Sequence, residues 1–322
     1  MTTPHKDPVL LIHGGAGAMS KSEATAEKEK AVLYALQEAL KAGYSVLEKG
    51  GDALDAVEQA VLSMEDCVLF NAGKGATLTS EGGIEHDASI MDGRNRAAGS
   101  LSSSKRIRNP VSAARIIMER TPYIHLTGDG LELFARDQDI PMEAQWYFFT
   151  PERLASLTRV KAAQQTKQEI SEKDRHGTVG AVAYDCRGNL AAATSTGGHT
   201  NKYPGRVGDT GMIGAGTFAD NRTIAFSGTG HGESFIRTNA GHRVSDLVEL
   251  KGIPLEEAVR QVLDEIASYG GTGGIIALDA KGHDAICFNT PGMYRGIARK
   301  GAYHVGIFAG DLDSVVMRFR IY

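Results

Sequence analysis

The sequence predicts an α+β fold in which layers of β-sheet lie beneath outer helices. Short apolar stretches typical of buried strands stand near the start and in the last part of the chain, and helical patterns are grouped between them. Because a helix and a sheet each have an apolar face to bury, this grouping favours stacked sheets covered by helices. The length of 322 residues is long for one domain and short for three, and no repeat of fixed period divides it.

The first half of the chain begins with a strand and continues as helices. The apolar run PVLLIHG (8–14) ends in the glycine-rich HGGAGA (13–18). The helical pattern that follows has an apolar face formed by Leu33, Leu36, Leu40, Tyr44 and Leu47. It stops at EKGGD, where Asp52 can cap a second helix. Residues 67–93 carry the turn signals of loop and strand, and Pro110 marks another helix start.

The second half predicts mostly short strands. TVGAVAYDCRGNLAAATST (178–196) has the pattern of a hairpin that turns around Arg187–Gly188–Asn189. The remaining predicted elements are strands near 212–218 and 222–227, a helix from about Gly232, a helix over PLEEAVRQVLDEIASYG, and strands near 274–279 and 284–289.

Composition excludes several classes of protein. A net charge of −4 argues against a general affinity for nucleic acid or for acidic membranes. No apolar run approaches the ~20 residues of a membrane span, and the apolar run before HGGAGA is too short for a signal peptide. Cys67, Cys186 and Cys287 form no CxxC pattern, so neither a disulfide framework nor a zinc site is indicated. We therefore expect a cytoplasmic protein.

The stretch RHGTVGAVAYD (175–185) suggests a site of chain cleavage. A polar tether (160–177) runs through Gly177 directly into an apolar strand whose first residue is Thr178. The simple interpretation is a loop that meets a strand. The alternative is cleavage before Thr178, which would give the threonine a free α-amine with a reference pKa of about 7.7–8.0. Such a residue carries both a nucleophile and its base.

Polar residues downstream fit either interpretation. On a strand, Thr194 and Thr196 point to one face and Ser195 to the other, so the two threonines can approach Thr178 across the hairpin. Threonine also simply favours strands. Arg206 and Asp209 match the carboxylate and ammonium of a free amino acid, although the same spacing suits an Arg–Asp surface pair.

Two glycine-rich segments were considered as ligand sites. SGTGHGE (227–233) precedes a predicted helix, and its backbone N–H groups suit an oxyanion. A phosphate cradle would have the same geometry, but no lysine follows the glycines. HGGAGA (13–18) matches neither dinucleotide nor P-loop fingerprints, so a tight turn is the favoured interpretation.

Several motifs together identify a family resemblance. HGGAGA, FNAGKGA, HDASIMDG, HGTVGAVAYD, TSTGGHTNKYPGRVGD and TGHGE occur in this order. As a set they resemble the plant-type L-asparaginase/isoaspartyl peptidase family of N-terminal-nucleophile (Ntn) hydrolases, from residue 8 to about 310. The resemblance implies a four-layer αββα sandwich and one domain over 1–322. It also implies self-cleavage into an α chain (1–177) and a β chain (178–322), which pair as an (αβ)₂ dimer.

The resemblance assigns roles to individual residues. Thr178 would be the nucleophile, with its α-amine as the base, and Thr196 would assist it. Gly177 would precede the cleaved bond, with Asn71 near it. Thr229 and Gly230 would form the oxyanion hole. The substrate-binding set that the resemblance implies is Arg206, Gly208, Asp209, Thr229, Gly230, His231 and Gly232.

The resemblance also implies an ion but no cofactor. The loop 64–74 is similar to a segment that holds a structural sodium through backbone carbonyls, while catalysis would need no metal. The implied ligands are Met64, Glu65, Cys67, Phe70, Ala72 and Lys74. His231 stands where bacterial relatives often have threonine, and it would either bind substrate or shape the pocket. His199 receives no role.

The expected reaction is hydrolysis of small substrates that carry a β-aspartyl amide. Thr178 would attack the side-chain carbonyl of L-asparagine or of a β-aspartyl dipeptide, and water would then release the acyl group. Three other functions fit parts of the sequence: a glycosylasparaginase, a threonine endopeptidase and an uncleaved binding scaffold. The lack of a predicted signal peptide disfavours the glycosylasparaginase. GRVGD (205–209), which suits a free amino-acid end, disfavours the endopeptidase, and the complete motif set disfavours the scaffold.

Overall fold

Two β-sheets lie face to face between two layers of helices in the computed structural model, which describes residues 6–17, 19, 21, 24–166, 168, 177–300 and 302–311. The strands are β1 (Val9–Ala16), β2 (His86–Asp92), β3 (Ala98–Ser104), β4 (His125–Thr127), β5 (Val179–Tyr184), β6 (Leu190–Thr196), β7 (Thr217–Ala219), β8 (Ile224–Gly230), β9 (Gly273–Asp279), β10 (Asp284–Phe288), β11 (Gly292–Arg299) and β12 (Ala302–Phe308). The helices are α1 (Ala26–Glu48), α2 (Ala53–Glu65), α3 (Pro110–Arg120), α4 (Gly128–Asp137), α5 (Gln145–Phe148), α6 (Pro151–Thr166), α7 (Gly232–Thr238), α8 (Ala240–Lys251) and α9 (Leu255–Ser268).

The topology confirms the predicted four-layer αββα sandwich. One sheet has eight strands in the order β12-β11-β1-β5-β6-β2-β3-β4, and the other has four in the order β10-β9-β8-β7. Helices α1, α2 and α3 cover the outer face of the large sheet, while α8 and α9 cover the outer face of the small one. None of the described helices is long and apolar enough to cross a membrane.

Side-chain alternation along the central strands separates the two apolar cores. On β1, Leu10 and Ile12 enter the core beneath α1 and α2, whereas Val9 and Leu11 enter the core between the sheets. The same alternation holds on β6, where Ala191 and Ala193 face the helices and Leu190 and Ala192 face the other sheet. The even-numbered residues that follow on β6 must therefore point between the sheets, which is where the candidate site lies.

The helices begin and end largely where the sequence predicts, with one difference in capping. Of the predicted apolar face of α1, Leu36, Leu40, Tyr44 and Leu47 are buried, and Leu33 packs at the edge of the core. Asp52 occupies the N-cap position of α2 but makes no capping hydrogen bond. Its carboxylate instead pairs with Arg187, which extends from the β5–β6 turn.

Two strands were not predicted from the sequence, and one predicted loop is partly helical. Strands β11 and β12 were not predicted, because glycines and the buried Arg295 interrupt the apolar pattern of β11. Arg295 is accommodated because its guanidinium donates to the carbonyls of Met293 and Phe308. Residues 160–166 of the predicted tether belong to α6. Of the rest of the tether, only 168 and 177 are among the described residues.

Candidate active site

Thr178 stands immediately before β5, between the two sheets. Its side chain shares the face of β5 on which Val182 and Tyr184 enter the inter-sheet core. Pairing of β5 with β6 sets Val179 opposite Ser195, so Thr196 lies beside Thr178. The two hydroxyl oxygens are 3.1 Å apart, which confirms that the hairpin brings these threonines together. Ser195 points the other way and donates to the carboxylate of Glu65 on α2.

The carbonyl oxygen of Gly177 lies among three hydrogen-bonding groups. Asn71 Nδ2 donates to it at 2.8 Å, Thr196 Oγ1 at 3.0 Å, and Thr178 Oγ1 lies 2.7 Å from it. The orientation of the Asn71 amide is fixed because its Oδ1 accepts the N–H of Thr77 at 2.8 Å. The bond before Thr178 therefore lies in a polarising environment with the threonine hydroxyl directly beside it.

A cavity of about 320 Å³ opens beside Thr178 and Thr196. Most of the predicted substrate-binding residues line it, as do parts of α6 and the loop after β6. The lining residues outside the nucleophile pair include Val160, Gln164, Gly198, His199, Arg206, Gly208, Asp209, Gly230, His231, Gly232 and Glu233. The volume suits a small amino-acid derivative rather than a long peptide.

Asp209 is a buried carboxylate with unused hydrogen-bonding capacity. It is 6% exposed, and its Oδ2 atom has no hydrogen-bond partner among the described residues. Burial raises the pKa of Asp209 to about 7, against the opposing effect of the nearby Arg206. The other oxygen, Oδ1, lies on the side of Gly232, which lines the cavity, so the carboxylate is placed to receive an ammonium group there.

Arg206 pairs with Glu233, not with Asp209. The guanidinium Nε and Nη2 donate to the two carboxylate oxygens of Glu233 at 2.9 and 2.8 Å. This bidentate pair leaves the second terminal nitrogen, Nη1, for another acceptor. The alternative of an Arg206–Asp209 surface pair is thereby excluded.

Two predicted glycines provide the room in which the charged groups lie. A Cβ on Gly232 would approach Asp209 Oδ1 to 2.8 Å and Arg206 Nη2 to 2.9 Å. A Cβ on Gly208 would approach Arg206 Nη1 to 2.9 Å. Any side chain at either position would displace the carboxylate or the guanidinium.

Of the two residues predicted to form the oxyanion hole, only Gly230 lines the cavity. Thr229 is fully buried and does not line the cavity. Its hydroxyl oxygen accepts the N–H of Ala16 at 3.3 Å. This bond leaves the hydroxyl hydrogen of Thr229 available for another acceptor. Gly230 lines the cavity with φ of 144°, and a Cβ there would lie 2.2 Å from the backbone oxygen of Thr272. Only glycine suits this position.

Two histidines stand at the cavity. His231 is about half exposed, and its Nδ1 lies 2.9 Å from Ser234 Oγ while its Nε2 lies 3.5 Å from Glu233. It therefore borders the charged pair rather than Thr178. His199 lines the same cavity, and burial lowers its pKa.

The loop 64–74 folds as a tight turn at the end of α2. Glu65 is fully buried, and its carboxylate accepts bonds from Ser195 Oγ at 2.6 Å and Val111 N at 2.9 Å. Burial raises the pKa of Glu65 to about 8. Its backbone oxygen lies 2.4 Å from the position a Cβ would take on Gly73. Loop carbonyls thus approach the 3₁₀ turn at Gly73–Gly75.

The sequence analysis missed two polar residues near the site. Glu233 belongs to the quoted SGTGHGE, but its partner Arg206 lies 27 residues earlier, a separation that carries no pattern. His13 belongs to HGGAGA, which was interpreted only as a turn, yet its ring contacts the carbonyl of Thr178 at 2.9 Å. An isolated polar residue in an apolar strand was the available signal for His13.

Comparison with known proteins supports one family for the whole chain. The sequence profile of the family Asparaginase_2, described as asparaginase, matches residues 6–307. The isoaspartyl peptidase of Salmonella typhimurium is 45% identical over 293 residues, which cover 89% of this chain and 94% of that protein. The isoaspartyl peptidase of Escherichia coli is 44% identical over 95% of this chain and 98% of that protein.

A mammalian protein is similar over the same span. The isoaspartyl peptidase/L-asparaginase of Bos taurus is 41% identical over 310 residues, which cover 96% of this chain and 99% of that protein. The αββα sandwich described above is the architecture expected for an Ntn-hydrolase family. The chain belongs to the Asparaginase_2 family of asparaginases.

Proposed function

We propose that the chain is a self-processing threonine amidohydrolase that hydrolyses L-asparagine and β-aspartyl dipeptides. One observation carries the proposal: the Thr178 hydroxyl lies against a Gly177 carbonyl to which Asn71 and Thr196 both donate. The names of the relatives, isoaspartyl peptidase and isoaspartyl peptidase/L-asparaginase, support the same substrates.

Self-cleavage begins with the chain intact. Thr178 Oγ attacks the carbonyl carbon of Gly177, and the negative charge that develops on the carbonyl oxygen is stabilised by the Asn71 and Thr196 donors. The Gly177–Thr178 C–N bond breaks, the nitrogen takes up a proton, and an ester to Oγ remains. Water hydrolyses that ester, which leaves a carboxylate on Gly177 and a free α-amine on Thr178.

Substrate hydrolysis uses the amine so formed. The amine accepts the proton of Thr178 Oγ, which attacks the side-chain carbonyl carbon of the substrate. Thr229 and Gly230 would face the oxyanion. Ammonia, or the amino acid of a β-aspartyl dipeptide, leaves with a proton, and water then cleaves the acyl-enzyme ester to release aspartate.

Charge complementarity supports this substrate class. Both substrates present a free α-ammonium and a free α-carboxylate on the aspartyl unit. The Asp209 carboxylate, whose Oδ1 lies on the side of the cavity-lining Gly232, suits the ammonium, and Nη1 of Arg206, which Glu233 leaves unused, suits the carboxylate.

Three further predictions from the sequence accompany the proposal. The loop 64–74 presents backbone oxygens, the ligand type that a hard cation such as sodium prefers, and we propose that it holds one as a structural ion. Pairing of two cleaved protomers as (αβ)₂ stays a prediction, as does a cytoplasmic location. None of the catalytic steps above uses the ion.

The test is the intact mass of the purified protein, followed by assays for ammonia from asparagine and for aspartate from a β-aspartyl dipeptide. We expect a fragment that begins Thr-Val-Gly-Ala and activity on both substrates. Thr178→Ala should abolish cleavage and lower hydrolysis at least about a thousandfold, because no nucleophile remains. Thr178→Ser is the matched control and should retain cleavage. A single uncut chain that still hydrolyses asparagine would contradict the proposal.

A further inference from the structure

His13 is a buried histidine that the proposed reaction does not use. It is 0% exposed and forms, with Gly180, the last residue pair between β1 and β5. Its Nδ1 lies 2.9 Å from the backbone oxygen of Thr178. Because a carbonyl oxygen only accepts, Nδ1 must carry the hydrogen of this bond. The side chain thus takes the place of the next ladder hydrogen bond at the point where the strand pairing ends.

The other ring nitrogen has a fixed partner of its own. Nε2 of His13 lies 2.9 Å from Ser227 Oγ on β8, in the opposite sheet. Burial lowers the pKa of His13 to about 3, so the imidazole is neutral near pH 7. With the ring hydrogen on Nδ1, Nε2 is an acceptor, and the Ser227 hydroxyl donates to it. The Thr178 carbonyl therefore determines the tautomer, and Ser227 holds the ring at its other nitrogen.

Further hydroxyls continue the contact beyond Ser227. Ser227 Oγ lies 2.7 Å from Thr194 Oγ1, and Thr194 Oγ1 lies 2.5 Å from Thr217 Oγ1. Thr217 Oγ1 lies 2.7 Å from Ser89 Oγ, which also lies 2.6 Å from the carbonyl oxygen of Thr210. The imidazole is therefore one member of a buried network of hydroxyl groups between the two sheets.

Gly180 supplies the space in which the histidine and the serine meet. A Cβ at this position would lie 2.0 Å from Ser227 Oγ and 2.5 Å from His13 Nε2. Any side chain on Gly180 would separate the two groups. The second glycine of HGTVG is thus explained by a contact between two other motifs, HGGAGA and SGTGHGE.

We propose that His13 is a positioning residue for the nucleophile, since its Nδ1–H holds the Thr178 carbonyl while Ser227 holds the other ring nitrogen. The inference rests on the proposed function of Thr178. After cleavage, the Asn71 and Thr196 bonds to Gly177 belong to the end of the other chain. Thr178 then becomes a chain terminus, and termini fray unless they are tied down. His13 ties it down from the side opposite the bond that was cut.

The deciding variant is Ser227→Ala, with Ser245→Ala as the matched control. Ser245 is also buried but donates to Thr223 on the far side of the small sheet. In the cleaved protein we expect Ser227→Ala to lower kcat about tenfold with KM within about twofold, because a nucleophile misplaced by a fraction of an ångström loses rate rather than affinity. Ser245→Ala should leave both constants unchanged.

A spectroscopic measurement separates positioning from a general loss of packing. In ¹⁵N-histidine NMR spectra we expect a single neutral Nδ1–H tautomer for His13 in the wild-type protein, and a changed Nε2 signal in Ser227→Ala, because that variant lacks the partner of Nε2. Where a variant is not cleaved, the spectra can be measured in the uncut chain. An Nε2–H tautomer in the wild-type protein would overturn the inference, as would full kcat in a Ser227→Ala variant whose Nε2 signal has changed.

Substitution of the histidine itself provides a second test. His13→Asn retains an N–H donor near the Thr178 carbonyl and should keep more kcat than His13→Leu, which has none. Equal losses in the two variants would contradict a positioning role. If the wild-type chain is uncut and inactive, the proposed function itself fails. If the wild type is cut and active and His13→Leu is equally active, only the present inference fails.

Discussion

The cleavage bond and the substrate cavity, on either side of Thr178, differ in how far their acceptor oxygens are hydrogen-bonded. At the cleavage bond, the Gly177 oxygen already accepts from Asn71 and Thr196, and both donors are in place before any reaction occurs. At the substrate cavity, Asp209 is buried with one oxygen unpartnered. The first region is arranged for a reacting group that belongs to the chain itself. Under the proposed function, the second region would receive its partner only when a substrate ammonium binds.

The largest expected effect concerns the satisfied region. Asn71→Asp keeps an oxygen that can accept the Thr77 N–H but removes the amide donor to Gly177. Loss of one oxyanion donor lowers rates by about 100–1,000-fold, so we expect self-cleavage to slow by that factor. The appearance of the Thr178 fragment over time, followed by mass spectrometry, gives the rate.

The control for this prediction is Thr77→Val. It removes a buried hydroxyl, which donates to Gly197, from the same turn but leaves both donors to Gly177 intact. Cleavage of this control should stay within about twofold of the wild-type rate, because the backbone N–H of residue 77 that orients Asn71 is retained. Fast cleavage in Asn71→Asp would show that the amide contributes nothing to the reaction.

A substitution at Asp209 should have a smaller effect than Asn71→Asp, and it should change KM rather than the rate of self-cleavage. Asp209→Asn removes the charge that we expect to pair with the substrate ammonium, a loss of about 2 kcal/mol or ~30-fold in KM. Self-cleavage should be unchanged, since Asp209 makes no bond to Gly177. Steady-state kinetics of the cleaved variant measure KM, with the surface substitution Asp246→Asn as the control. Slowed cleavage in Asp209→Asn would mean that the two regions are not separable.

The same carboxylate should make substrate binding depend on pH. Its pKa of about 7 in the folded chain exceeds its usual 3.8, because burial disfavours the charge. The folded chain therefore holds this proton longer than the unfolded chain, and the stability so gained is lost as the pH rises through about 7. Substrate binding needs the ionised form, so KM should fall up to tenfold as the pH rises from 6 to 7. A KM that is flat over this range, or identical in Asp209→Asn, would contradict this assignment.

The smallest effect should come from crowding the unsatisfied region. Gly232→Ala places a methyl group 2.8 Å from Asp209 Oδ1, and the carboxylate must shift by a few tenths of an ångström. We expect KM to rise about fivefold, roughly 1 kcal/mol, with cleavage unaffected. Gly130→Ala on α4 is the control, since no atom lies within 4 Å of its new methyl group. That substitution should leave KM unchanged and raise the melting temperature slightly.

The sequence predicted the proximity of Thr178 and Thr196 and the layered fold better than it predicted the contacts that support them. That proximity follows from strand alternation and a hairpin, which are local patterns, and the layers follow from the grouping of elements, whereas the roles of the two threonines rest on the family resemblance. The Arg206–Glu233 pair and the His13–Ser227 bond join residues 27 and 214 positions apart. Such contacts depend on how the sheets stack, which local periodicity does not encode. Strand β11 was missed for a related reason, since one of the carbonyls that accept from the buried Arg295 belongs to Phe308 on the neighbouring strand β12.

The contact between Gly177 and Thr196 also has a kinetic consequence. Under the proposed self-cleavage, the Gly177 carbonyl accepts from the hydroxyl of Thr196, which lines the cavity, so the precursor would inhibit its own active site. Cleavage alone would not remove this inhibition, because it would convert the Gly177 carbonyl into a carboxylate at the same place. Maturation would then require two events, breakage of the bond and departure of the new chain end. Enzymatic activity should therefore lag behind the appearance of the cut chain.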